Sequence, residues 1–302
     1  MDRDLLSHFP VFLSVARRGG FAAAAAELGM SPSAVSHSIR MIEGRLGLAL
    51  FARTTRSVAL TEAGQNLLAS AGQAFIEIEE AIDRIRSSTG TVSGHLRLSV
   101  PRTALSTVIT PVIVELSRRH PELVVEIASE DASVDIIARG FDAGIRLGEM
   151  IAQDMVALRL TPPFDMLLVA SPDYLERHGE PLEIADLGNH NCIGYRQITS
   201  GGLYDWELEE DGKMVATAVK GTVVVTDATY AHELALAGVG IAYLMAPLAV
   251  GDLAAGRLKQ VLARHAIEEP GLFLYYPQRA SMAPKLRAFI TVAREVLKAP
   301  RR

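Results

Sequence analysis

The sequence predicts an all-α head, a long connecting helix and an α/β body. Three observations predict it. Within residues 1–60, apolar side chains recur at three- and four-residue steps in runs separated by Gly19-Gly20 and Gly29. From 61 to 88 there is no proline, and one apolar stripe continues. From His95 onward, short apolar runs alternate with amphipathic ones, the mark of an α/β fold with parallel sheets. A chain of 302 residues is about two domains' worth, and a hydrophobic content of 49% is ample for real cores.

Charge is unevenly spread. Residues 1–60 hold Arg3, Arg17, Arg18, Arg40, Arg45, Arg53 and Arg56 against Asp2, Asp4, Glu27 and Glu43. That surplus of three sits in a chain of net charge −5, so the remainder carries −8. A basic head on an acidic body suits a local polyanion contact. Three charges is also an excess that chance produces, so charge alone does not select nucleic acid. Cys192 is the only cysteine, which excludes an intramolecular disulfide and fits a reducing compartment. No apolar run nears the ~18 residues of a membrane span. The charged MDRD start, with Arg17-Arg18 soon after, does not read as a secretory signal. A cytoplasmic location is expected.

The first helix reads from about Asp4 to Arg17, with Leu5, Leu6, Phe9, Phe12, Leu13 and Ala16 on one face. Arg17-Arg18 and then Gly19-Gly20 suit its end. The second, FAAAAAELG, is rich in the best helix former and stops at Leu28-Gly29. Ser31 is a good N-cap for the third, and Pro32 fits its first position. Ala34, Val35, Ile39, Ile42 and Leu46 form its inner face. Ser33, Ser36, His37, Arg40 and, further along, Glu43 form the outer one. Hydroxyls, an imidazole and a guanidinium at a helix N-terminus bond to phosphates and base edges. After Gly47, LALFARTTRSVALTEAG alternates like a small hairpin. Leu48, Leu50, Val58 and Leu60 are its apolar pegs, and Arg53, Thr54, Thr55 and Arg56 its tip. A solvated surface charge is the plain reading of each arginine alone. The order of helix, turn, helix and basic wing favours a winged helix-turn-helix on duplex DNA.

The stretch FAAAAAELGMSPSAVSHSIRMIEGRLGLALFARTTRSVALTEAG resembles the DNA-binding domain of LysR-type transcriptional regulators. Two departures matter. The family commonly has Gln where Pro32 stands, so any base contact from that side chain is missing. Its second helix often starts Ser-Phe-Thr, where this chain has Gly20-Phe21-Ala22, a weaker cap with fewer hydroxyls.

The connecting helix, 61–88, starts with Thr61 as a plausible N-cap. Ala63, Leu67, Ala71, Phe75, Ile78, Ile82 and Ile85 step by three and four, a coiled-coil-like seam. Such a helix extends roughly 42 Å. An apolar stripe of that length needs a partner: the chain's own later domain, or a second copy of the same helix. The second copy is preferred here, and the resemblance implies it. It would set two recognition helices in two-fold relation, suited to a pseudo-palindromic operator. The family commonly goes on from dimers to tetramers.

In the body, HLRLSV, ELVVEIAS, FDAGIRLG, MVALRLT, DMLLVAS, VGIAYLM, RLKQVL and LFLYYP read as strands. The stretches 132–140, PDYLERHG, ATYAHELALAG and Pro284–Lys298 read as helices, and 204–219 as a hairpin. Pro111 is awkward inside ALSTVITPVIVELSRR unless Thr110 caps a fresh start. Here too the chain is similar to LysR-type regulators, whose effector-binding domain is two-lobed and periplasmic-binding-protein-like. The resemblance implies a DNA-binding domain at 1–60, the linker helix 61–88, a hinge at 89–93 and an effector domain at 94–302. It places lobe I at 94–163 with 267–302, and lobe II at 164–266.

Ligands of open α/β sheets bind at strand carboxyl ends, often between lobes. Those ends carry Arg102 and Thr103, Asp131, Arg146, Arg196, and Thr226 with Asp227. Thr103 lies where the family has a ligand-contacting hydroxyl. Hydroxyls beside helix-terminal amides with arginine nearby suit a small anion such as a carboxylate. Arg146 equally suits an ion pair with Glu130, Asp131 or Asp142, and Thr226-Asp227 equally suits a helix cap.

No G-x-S-x-G, H-E-x-x-H or P-loop motif is present, so an enzyme is not expected. Gly238-Val239-Gly240 lies between helix and strand, the wrong order for a dinucleotide loop. Cys192 with His190 lacks metal-cluster spacing, and no cofactor or metal is implied. The expected function is a ligand-responsive, sequence-specific transcriptional regulator. The alternative is a small-molecule-binding protein whose main role is not DNA binding.

Overall fold

The computed structural model describes residues 3–53, 58–72, 74–75, 77–78, 81–82, 85, 91–132, 134–137, 139–148, 151, 155–278, 280 and 283–298. The chain divides into two compact units, 1–92 with 135–140, and 93–134 with 141–302. No helix of the described residues is long and apolar enough to cross a membrane.

The first unit holds α1 (Arg3–Arg18), α2 (Phe21–Leu28) and α3 (Pro32–Leu46). Helix α2 ends at Gly29 in the left-handed conformation, φ 63°, and the Met30 amide returns to the Ala25 carbonyl at 2.9 Å. That tight exit turns the chain straight into α3. There the Ser31 hydroxyl accepts from the Ala34 amide at 3.2 Å with Pro32 in the first turn, a cap worth about 1 kcal/mol. Phe12, Val15, Ala24, Ala25, Val35, Ile39 and Ile42 close the core between the three helices, and the two alanines leave room for close approach. Glu27 ties α2 to α1, accepting from the Ser14 hydroxyl at 2.6 Å and Arg18 Nε at 3.1 Å.

Strands β1 (Phe51–Arg53) and β2 (Val58–Leu60) pair antiparallel, Phe51 opposite Leu60. The Phe51 ring meets Phe12 and Phe21 at 5.6 and 6.0 Å, fastening the wing to the helices. Leu50 and Phe51 are the buried pegs. Leu48 is 58% exposed, since it precedes the paired stretch, and Leu6 and Leu46 are likewise exposed at the rim.

Thr61 caps α4 (Glu62–Leu67), accepting from the Gly64 amide at 3.1 Å and donating to the Ala49 carbonyl at 2.7 Å. The path widens into a π-type turn at Leu68–Gly72, and the described residues between 74 and 85 are helical. The seam divides in two. Ala63, Leu67 and Phe75 pack on the head's own core, with Phe75 stacked on Phe9 at 6.1 Å. Ile78, Ile82 and Ile85 are 53, 43 and 72% exposed. For its first half, the expectation of a second copy is therefore corrected: the partner is α1 of the same chain.

Among its described residues the second unit contains two larger sheets and two two-stranded ones. The first orders β4 (Leu123–Ser129), β3 (Gly94–Val100), β5 (Ala143–Leu147), β15 (Leu272–Pro277) and β6 (Met155–Arg159). Pairings β3–β4 and β3–β5 are parallel, and β15 runs antiparallel to both its neighbours. The second sheet centres on β7 (Phe164–Ala170), with β12 (Ala242–Met245), β13 (Lys259–Val261) and β14 (Ile267–Glu269) all antiparallel to it. Beside this sheet, β8 (Gly194–Tyr195) pairs parallel with β11 (Val224–Val225), and β9 (Trp206–Glu210) with β10 (Lys213–Thr217) forms the expected hairpin. The expectation of parallel sheets thus holds beside β3 and, in the second half of the unit, only for the short β8–β11 pair. Apolar alternation encodes which face is buried, not strand direction.

Helices α5 (Arg102–Ala104), α6 (Thr110–Arg119), α7 (Pro172–His178), α8 (Ala228–Leu236), α9 (Ala246–Ala254) and α10 (Pro284–Lys298) surround the sheets. Sequence periodicity missed α9, whose Pro247 reads as a breaker yet sits in the first turn, where proline is tolerated. Thr110 caps nothing. A π-type turn at Leu105–Ile109 joins α5 to α6 and accommodates Pro111, with the Thr110 amide and hydroxyl both donating to the Leu105 carbonyl. The expected helix at 132–140 is absent among the described residues, which form turns. The Asp135 carboxylate accepts from the Ile137 amide at 2.9 Å, a local bond that competes with helix.

The chain leaves the first sheet after Arg159 and returns through Pro270 and Gly271, three residues beyond the expected 267, because β14 belongs to the second sheet. The two crossings run side by side, the Leu272 amide donating to Thr161 Oγ1 at 2.9 Å. Gly271 has φ 95°, and a Cβ there would lie 2.7 Å from the Pro162 carbonyl oxygen.

Candidate functional sites

Helix α3 presents Ser33, His37 and Arg40 fully exposed and Ser36 half-buried, one row at three- and four-residue steps. Its opposite face, Val35, Ser38, Ile39 and Ile42, is sealed in the core, so the row is rigidly mounted. Ser31 lies 2.9 Å from the Ser33 hydroxyl, and Pro32 is exposed at the tip. Arg40 Nε reaches only the Ser36 carbonyl, at 3.4 Å. No carboxylate of the described residues pairs with it. Glu43 does not belong to this row. Its carboxylate accepts from the Leu50 and Phe51 amides at 2.9 and 3.2 Å, orienting the entry to the wing. Thr54, Thr55 and Arg56, and the side chain of Arg53, lie outside the described residues.

The second unit contains a cleft of about 550 Å³. Of the residues expected there, Thr103, Asp131 and Arg146 line it. Arg146 is 4% exposed. Its guanidinium donates to neutral oxygens, Ile145 O at 2.6 Å, Ala132 O at 2.8 Å and Ser99 Oγ at 3.3 Å. Its Nε is buried with no partner. Burial lowers its pKa, against the weaker pull of Tyr275, Asp131 and Glu130. The ion-pair reading of Arg146 is thereby corrected. Asp142 is taken by Lys285 at 2.8 Å, and Asp131 by the Arg102 amide at 2.9 Å.

The other expected ligand residues are engaged elsewhere. Arg102 Nη1 donates to Asp227 at 2.6 Å, and that contact raises its pKa. Asp227 also caps α8, accepting from the Thr229 amide at 2.9 Å and hydroxyl at 2.6 Å. Burial opposes its charge, but those bonds and Arg102 outweigh burial and lower its pKa. Arg196 donates to the Gly201 carbonyl at 2.8 Å. Arg196, Thr226 and Asp227 do not line the cleft. In this structure Arg102, Arg196 and Asp227 are engaged in cap and strut bonds.

Sequence reasoning missed the opposite wall: Tyr204, Trp206, Glu207, Tyr243 and Glu269. Tyr243 stacks on Trp206 at 5.6 Å and on Tyr204 at 6.3 Å. The only sequence signal was the crowding of tyrosine and tryptophan into 195–243, in a chain with 6% aromatics.

Cys192 is buried on the core side, Sγ 3.7 Å from the Leu187 carbonyl, and burial pushes its thiol pKa up to about 12. Native protein at pH 8 is expected to resist a thiol-reactive chromogenic disulfide, and to react fully once unfolded in guanidinium. Rapid labelling of the native chain would show that this core opens. Among the described residues, no cluster of three His, Cys, Asp or Glu is placed to hold a metal.

Comparison with known proteins gives the same division of labour. Residues 6–65 match the bacterial regulatory helix-turn-helix protein of the lysR family, and residues 89–298 match the LysR substrate binding domain. The chain is 39% identical to the uncharacterized HTH-type transcriptional regulator YcaN of Escherichia coli, over 94% of this chain and 93% of that one. It is 33% identical to the HTH-type transcriptional regulator PgrR of the same organism, covering 96% and 97%. The structure of CrgA, a LysR-type transcriptional regulator from Neisseria meningitidis, superposes with TM-score 0.62 at 26% identity, covering 97% of this chain and 99% of that one. The two matched domains together span most of the chain, the relatives are similar over nearly their full length, and the chain belongs to the LysR-type family of transcriptional regulators.

Proposed function

We propose that α3 and its wing read a pseudo-palindromic operator in duplex DNA, and that a small anionic molecule in the cleft controls that binding. The observation that carries the first part is the exposed row Ser33, Ser36, His37 and Arg40 on a helix whose inner face is locked in the core. Arg40, which among the described residues pairs with no carboxylate, is the residue suited to a guanine edge or phosphate. Arg53, Thr54, Thr55 and Arg56 extend the contact from the wing, and Ser31 and Pro32 set the N-terminus of α3 against the backbone. The solvent-exposed side chains of Ile78 and Ile82, which continue the apolar seam toward Ile85, support pairing with a second copy, giving a homodimer, or a homotetramer by further association. In the cleft, Thr103 and Arg146 are the anion contacts, with Asp131 beside them. The setting is the cytoplasm, where regulators of this kind meet DNA. An effector acts only if its affinity differs between two arrangements of the DNA-binding pair.

The test is selection of genomic fragments by the purified protein, followed by fluorescence anisotropy on a recovered site. Arg40→Ala is expected to weaken specific binding about tenfold to a hundredfold. Replacing Arg53 and Arg56 with Ala is expected to lower affinity on all sequences and flatten the salt dependence. Unaltered affinity in both variants would remove α3 and the wing from the interface.

A further inference from the structure

The cleft has a second pole. On the cleft lining contributed by β9, the Glu207 carboxylate accepts from the Tyr204 hydroxyl at 2.8 Å, and the Glu207 carbonyl accepts from the Tyr243 hydroxyl at 2.6 Å. The rings of Tyr204, Tyr243 and Trp206 stack beside it. No Lys, Arg or His of the described residues pairs with Glu207. A carboxylate flanked by aromatic faces is the arrangement that binds organic cations, through ion pairing and attraction to the ring quadrupoles. The two tyrosine hydroxyls are held protonated, first by burial and then by the neighbouring carboxylates of Glu207 and Glu269, so Tyr204 remains a donor to the Glu207 carboxylate and Tyr243 to its main-chain carbonyl.

Arg146 and Glu207 line one cleft, yet they are not each other's partner. Each is a charge left for something else to neutralise. Arg146 shows this most plainly, because among the described residues its buried Nε has no acceptor and its other nitrogens meet uncharged oxygens. A ligand of one sign satisfies one pole and leaves the other facing it. The same cleft is also lined by apolar side chains, Met166, Ile193 and Leu244 among them, which suits a hydrocarbon body. Resting on the cleft reading above, we propose that the effector is amphoteric: a carboxylate at Arg146 and Thr103, an apolar body, and a primary ammonium at Glu207 and its aromatic wall.

Two matched triplets test this by calorimetric titration into the purified full-length chain: phenylalanine, hydrocinnamate and phenethylamine, and ε-aminocaproate, caproate and hexylamine. The members of a triplet share a skeleton and differ in their charges, and the triplets differ in charge separation. In at least one triplet the amphoteric member is expected to bind about tenfold more tightly than either singly charged relative. Glu207→Gln, which keeps an acceptor for the Tyr204 hydroxyl, is expected to erase its advantage over the carboxylate and leave carboxylate binding unchanged. If the carboxylates bind as well as the amphoteric compounds, and Glu207→Gln changes nothing, the cationic pole is wrong while the anion cleft stands. If the amines bind and the carboxylates add nothing, the anionic pole is wrong. If no member of either triplet binds, the cleft reading and this inference fall together.

Discussion

Gly64→Ala is expected to abolish DNA binding and to unfold the first unit while sparing the α/β unit. Gly64 is buried in the first turn of α4. A Cβ there would lie 2.1 Å from the Leu50 carbonyl oxygen, 2.9 Å from Leu60 Cδ2 and 3.1 Å from the Leu50 carbonyl carbon. Leu60 can swing away, but the carbonyl cannot, because it accepts the Thr61 amide at 2.9 Å and precedes the paired strand β1. Helix α4 must then back off the wing, and the Thr61 cap and the Leu50–Thr61 bond go with it. Alanine's better helix propensity returns about 1 kcal/mol. The overlap with fixed backbone costs about 3 kcal/mol or more, so the contact decides. Differential scanning calorimetry is expected to show one transition lost or shifted far down and one retained. A variant with an unchanged calorimetric trace and normal operator affinity would mean that the helix–wing junction yields easily.

Arg146→Met is expected to cut effector affinity about a hundredfold without lowering the melting temperature of the free protein. These two outcomes point in opposite directions only if the side chain serves binding rather than the fold. A guanidinium that is 4% exposed and has no carboxylate partner carries a desolvation cost of several kcal/mol. Its three bonds to neutral oxygens, strengthened by the charge on the donor, return about 1.5–3 kcal/mol each at best and less for the 3.3 Å bond to Ser99, so they no more than offset that cost. Methionine, of similar length, removes the charge and fills the space. If Arg146 were a structural strut, the same change would cost about 3 kcal/mol or more, and the melting temperature would fall with or without effector. Thermal melts of both proteins, with and without a bound carboxylate, separate the two cases.

What could be read in the sequence was local. Ser31-Pro32 and Thr61 announce helix starts because a hydroxyl caps an amide three residues on, and Gly29 announces a stop because it tolerates a left-handed φ. The row from Ser33 to Arg40 was legible because helical periodicity assigns faces once the inner one is apolar. Such signals act within one or two turns of chain, so residue order is enough to reveal them. The same reasoning gave Thr110 and 132–140 the wrong local structure, where a π-type turn and an Asp135 side-chain bond won.

The sequence by itself therefore determined the helix-turn-helix, its exposed polar face and the presence of an α/β body. Only the tertiary structure decided that β7 is served by antiparallel neighbours, and that Glu43 supports the wing instead of facing outward. It alone decided that Asp227 belongs to Arg102, 125 residues away, and that Arg146 is left buried with no acid to hold. Pairing of charges and the shaping of a cleft depend on distances between side chains far apart in the chain. Packing sets those distances, and no spacing along the sequence records them.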